Sequence, residues 1–185
     1  MLGLFERQTR DDPRFGLLVY RPAGLLAYRP AGWIGKLSTP LFPGVDVAIS
    51  IRAQDESEFA VFRRHLEQVI AHCESIRSEI ASEALETCQF YQAEERREAY
   101  TGYDRLPDLS NIKAYENITS QDHIWPLIKP QEWIFELGSL GASLGSKGEY
   151  KSRVVIDFGW PNDQNDHYLV AYLADTELCH LEVDG

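Results

Sequence analysis

The stretch from Ser57 to Tyr91 constrains this chain more than any other. Its apolar residues fall at Phe59, Phe62, Leu66, Val69, Cys73, Ile76, Ile80, Ala84, Cys88 and Tyr91. Steps of three and four lay one apolar stripe along a helix. Arg63, Arg64, Glu67, Arg77, Glu79 and Glu83 fall on the wet side. Asp55 and Glu56 stand at the start, where the positive end of the helix dipole favours acids. One helix over 57–94 would run about 55 Å, long for a chain of this size. A break near His72–Ser75, with Ser75 capping a second helix, shortens it. Two helices or one bent helix are expected.

The rest of the chain reads as short strands and turns that need such a stripe to pack against. Residues 1–13 form a polar lead-in. Leu17–Gly24 is then repeated at once as Leu25–Gly32, with seven of eight positions identical. Each copy is a short strand followed by Arg-Pro-Ala-Gly, where Pro and Gly supply a turn, and a duplication that lengthened one hairpin accounts for it. After Gly44, Val45, Val47, Ile49 and Ile51 alternate with Asp46, Ala48, Ser50 and Arg52, the pattern of a half-buried antiparallel strand. Residues 96–119 lose periodicity. Ser120–Asp122 cap a short helix over 123–128, and strands are expected at 133–137, 153–158, 168–173 and 178–183. The glycine-serine segment 138–148 is no phosphate loop, because Gly148 follows Lys147 where Ser or Thr is needed.

These readings predict an α+β fold in one domain over 1–185. Antiparallel β-meanders from the N-terminal part (14–53) and the C-terminal part (120–184) would pack on a central helical hairpin or bent long helix at 55–95. The segment 96–119 would be irregular. At this length a chain buries about 70% of its unfolded surface, so a core needs no staples.

The net charge of −11 is unevenly placed: +3 over residues 1–54, −6 over 55–100 and −8 over 101–185. Such a field repels nucleic acid and anionic membranes and favours a basic partner. Cys73, Cys88 and Cys179 have no metal-ligand or redox spacing and read as reduced residues. With no signal-peptide pattern and no window of transmembrane length, a cytoplasmic location is expected.

The one cluster with chemical potential is Asp163, Asp166 and His167, between two strands and just after Asp157 and Trp160. Two carboxylates and an imidazole suit a cation or acid-base work, yet a tight turn uses the same residues. The spacing lacks the Gly and the later Glu of a calcium loop. His65 and His72, two helical turns apart, are too distant to share a metal, and no serine-hydrolase elbow is present. No nucleophile with a partnered base can be named and no cofactor is expected.

Asp12-Pro13-x-Phe15-Gly16-x-Leu18, then Gly32-Trp33-x-Gly35 and Val45-x-Val47-x-Ile49 ahead of a helical pair, resemble the opening of uncharacterised bacterial α+β domain families. Ile156-x-Phe158-x-Trp160 with Asp166-His167 resembles a Trp…Glu-His-Gly turn near the end of some of them, with Asp in place of Glu and Tyr168 in place of Gly. Some members are encoded near polymorphic-toxin immunity loci, and the resemblance implies no catalytic residues. The functional expectation is therefore a non-enzymatic acidic domain that binds a basic protein, as an immunity protein neutralises a basic toxin. Glu94, Glu95, Glu98, Asp104, Asp108, Asp163, Asp166, Asp175 and Glu177 would line the interface. The alternative is a metal-dependent hydrolase or ligand-binding domain using Asp163, Asp166 and His167. A third is a structural subunit of a larger assembly.

Overall fold

The structure is a computed structural model that describes residues 8–23, 30–100, 118–137, 151–158 and 168–184. Eight strands appear among them: β1 (Thr9–Asp12), β2 (Gly16–Arg21), β3 (Gly32–Ser38), β4 (Asp46–Ile51), β5 (Ile128–Phe135), β6 (Ser152–Phe158), β7 (Tyr168–Ala174) and β8 (Glu177–Asp184). Two helices, α1 (Glu56–Ala71) and α2 (Cys73–Tyr100), lie between β4 and β5, with a 3-10 turn at Gln121–His123.

All eight strands form one sheet in chain order. Neighbours are antiparallel except at the centre, where β4 and β5 run parallel with Ile49 beside Trp133 and Ile51 beside Phe135. Parallel neighbours need a long crossover, and the helical segment provides it. The polar residues 9–12, read above as lead-in, are β1.

This architecture corrects the expected fold class. The two meanders do not pack separately on a helical hairpin; they join edge to edge into one mixed sheet that dominates the structure. The helices form no hairpin either. His72 alone separates them, and helical hydrogen bonds run through the junction, from His72 N to Gln68 O and from Ile76 N to His72 O, so the chain has no room to reverse. The interruption is local: His72 leaves helical backbone at φ −113°, ψ 19°, and its ring nitrogen Nδ1 shares the Gln68 carbonyl with its own backbone N–H, at 2.9 Å. Ser75 lies inside α2 and bonds Glu79 rather than capping a helix. α1 starts where Asp55 accepts the backbone N–H groups of Ser57 and Glu58, a cap worth about 1 kcal/mol.

The helices cover one face of the sheet. Phe59, Phe62, Leu66 and Val69 of α1, with Ile76, Ile80, Ala84 and Cys88 of α2, meet Val47, Ile49, Ile51, Trp133, Phe135, Val154, Ile156, Leu169 and Ala171 in one continuous core. Side chains alternate along a strand, so Lys36, Ala48, Glu132 and Val155 point to the other face. Two glycines of β3 permit close approach: a Cβ on Gly32 would lie 2.9 Å from the Ile51 carbonyl oxygen, and one on Gly35 would lie 3.1 Å from that of Leu17. Pro130 offers no N–H, and the β5–β6 register shifts there. Among the described residues, no helix is long and apolar enough to cross a membrane.

Candidate functional site

Three groupings of polar side chains stand out. The first is in the core. His65 of α1 and Ser152 of β6 are both about 1% exposed and hydrogen-bonded, His65 Nε2 to Ser152 Oγ at 2.6 Å. A serine beside a histidine suggests a nucleophile and its base. Here no carboxylate orients the ring, since His65 Nδ1 is buried without a hydrogen-bond partner, and no substrate can reach the pair. Burial, reinforced by the charge of Lys151 and partly opposed by Asp175, lowers the His65 pKa from 6.5 to about 4. The pair is a core contact with a consequence for acid stability. Because the folded pKa is depressed, this contribution is complete above pH 6.5 and is lost as pH falls towards 4. Between pH 7 and pH 5 the chain should lose about 2 kcal/mol through this residue. Urea titrations of the protein and of His65→Gln, which keeps a hydrogen-bonding group but cannot take up the proton, should show the gap; parallel pH profiles would contradict it.

The second grouping lies on the helix-free face. Arg52 and Arg153 both approach the buried carboxylate of Glu136, Arg52 by a direct ion pair and Arg153 Nε at 3.6 Å. Tyr172 donates to Glu182, and its ring stacks on His180, centroids 6.1 Å apart. Burial, then the neighbouring Glu182 carboxylate, pushes the Tyr172 hydroxyl up to about 12. Acids and bases alternate through this ladder, which ties β4 to β8 across the open face.

The third grouping is acidic, at the corner where α2 meets the β7–β8 turn. Asp175 occupies the left-handed region at φ 51°, which Asp tolerates and which a two-residue hairpin turn requires. The turn is held to α2 by Glu79, whose carboxylate accepts the Leu178 N–H at 3.3 Å. Glu79, Asp175 and Glu177 thus converge, and burial together with these acids raises the Cys179 pKa, which argues against a reactive thiolate. Glu83 and Glu86 follow along α2, both exposed. Past Cys88, none of the described side chains of α2 is buried: Gln89, Phe90 and Ala93 are all exposed.

Of the residues expected at an interface, the structure brings Asp175 and Glu177 to this corner. Asp175 is also ion-paired with Lys151. Glu94, Glu95 and Glu98 lie on the final turns of α2, with side chains outside the description. Asp104, Asp108, Asp163, Asp166 and His167 lie outside the described residues, and with them the metal-site alternative. Among the described residues, no group of three His, Cys, Asp or Glu side chains is placed to hold a metal ion. Sequence reasoning missed Glu79 and Glu83 at the corner. Both were assigned to the wet face of the helix, but only the fold shows that this face meets the turn. The three cysteines are free thiols.

Comparison with known proteins finds no matching family model, no matching curated protein and no matching solved structure.

Proposed function

We propose that this chain is a non-enzymatic protein-binding domain that captures a basic protein through its acidic α2 corner, in the manner of an immunity protein acting on a basic toxin. The observation that supports it is the separation of charge. Arg10, Arg14, Arg52, Arg63, Lys151 and Arg153 are each tied to a carboxylate of this same chain. Internal pairing thus occupies six of the 18 basic side chains. Glu74, Glu83 and Glu86 on α2 face no cationic partner among the described residues. An acidic ridge of this kind steers a basic partner into encounter and suppresses acidic ones.

The test is affinity capture with the full chain as bait, from the lysate of its source cell, at low and at high ionic strength. A basic protein retained at low salt and released at high salt is the expected result. Retention of nothing, or only of acidic proteins, would overturn the reading.

A further inference from the structure

Beside the charged ladder, the helix-free face over β2 to β4 carries exposed apolar residues where an antiparallel sheet normally shows polar ones to water. Lys36, Ala48, Glu132 and Val155 align across β3 to β6 in one row. In the next row Val19 sits opposite Ile34. Leu17, on the same face of β2, is 65% exposed, and Ala48 is exposed as well. Leu17, Val19, Ile34, Lys36, Ala48 and Glu132 line an open depression of about 780 Å³. Its apolar residues Leu17, Val19, Ile34 and Ala48 are flanked by Arg21, Lys36, Gln131 and Glu132, so the surface offers both apolar contact and charge.

We propose that this face is the contact surface of a two-fold symmetric dimer of this chain. Charge supports a second copy as the occupant. Two chains of net charge −11 repel each other over most of their surfaces. This face escapes that repulsion, because Arg21 and Lys36 line the depression beside a single acid, Glu132. The order of the row supplies the rest. Lys36 and Glu132 stand on either side of Ala48, one strand away in each direction. A two-fold axis running along β4 at Ala48 turns β3 of one copy over β5 of the other. Lys36 of each copy then meets Glu132 of the other, so the interface is self-complementary in charge as a two-fold contact must be. Ile34 turns over Ile134 in the next row. The small Ala48 side chain at the axis lets the sheets approach to the usual spacing of about 10 Å. The surface is separate from the acidic α2 corner, so this inference stands or falls independently of the proposed capture of a basic partner.

The test is the solution mass of the full chain over a micromolar concentration series, by sedimentation equilibrium. The expected mass is twice 21.1 kDa. Lys36→Glu and Glu132→Lys should each weaken the dimer about tenfold or more by setting like charges face to face. Mixing the two variants should restore it, because every contact then pairs opposite charges again. Leu17→Glu, at an exposed position that tolerates substitution, should also yield monomer with an unchanged circular dichroism spectrum. A monomeric wild type would overturn the proposal, as would a dimer that neither charge variant weakens or a mixture no tighter than its components.

Discussion

Replacing Phe135 with alanine should cost about 4 kcal/mol of unfolding free energy, the largest loss expected from a single substitution in this chain. Phe135 closes β5 beside Ile51, at the parallel junction that joins the two halves of the sheet. Its ring stacks on Trp133 with centroids 5.0 Å apart and meets Phe15 edge-on at 5.1 Å and Phe62 at 6.1 Å. It therefore touches β5, the β1–β2 turn and α1 together. Rigid aromatic neighbours collapse poorly into a vacated space, so the cavity cost adds to the lost transfer energy. Urea denaturation measures it: the midpoint should fall with the slope unchanged. A loss below about 1 kcal/mol would show that the ring does not occupy this junction.

Asp12→Ala should cost about 3 kcal/mol, because it removes the acceptor at the centre of a buried network. The Asp12 carboxylate accepts the backbone N–H groups of Arg14 and Phe15 at 3.0 and 3.2 Å, which shapes the β1–β2 turn. It also accepts Arg63 Nη2 at 2.7 Å and Nε at 3.1 Å, which fastens α1 to that turn. Arg63 and Arg10 both reach Glu56, and Arg10 lies 3.8 Å over the Phe59 ring. Asp12→Asn should lose less, since its side-chain oxygen can still accept the two backbone N–H groups. The pH dependence has a definite sign. Burial alone would raise the Asp12 pKa, but the hydrogen bonds from Arg63, Arg14 and Phe15 outweigh it and hold the carboxyl below its ordinary 3.8. This contribution is present above the unfolded pKa and lost as pH falls through the folded one. The stability difference between the protein and Asp12→Ala should therefore be full at neutral pH and shrink in acid. An equal difference at all pH values would contradict the ion-pair account.

Much of the helical half was legible because its signal is local. Among the described side chains, every buried residue of the two helices except His65 and Ala81 lies on the stripe from Phe59 to Cys88, and the helix breaks at His72, inside the expected interval. The alternation from Val45 to Ile51 also reads directly as β4, although Val45 itself lies exposed before the strand. What the sequence hid is non-local. The union of the two meanders depends on β4 pairing with β5, far apart in the chain, and β5 opens on the unremarkable Lys129-Pro130-Gln131-Glu132. Asp12 looked like the end of a polar lead-in because its partner Arg63 lies on another element. The residues behind the family resemblance take structural parts here. Asp12 shapes the turn, Phe15 and Leu18 enter the core, and Gly16 adopts φ 70°. The acidic corner was half legible: Asp175 and Glu177 stood out in sequence, whereas Glu79 joins them only through its contact with Leu178.

Association kinetics with the basic protein retained in affinity capture test the central claim most directly. The variant to compare carries Glu83→Lys, Glu86→Lys and Glu177→Lys, all at exposed positions. The acidic-corner account predicts an association rate at least about tenfold slower for this variant at low ionic strength. The gap should close as salt shortens the screening length to about 8 Å and below. Equal association rates at low ionic strength would contradict it.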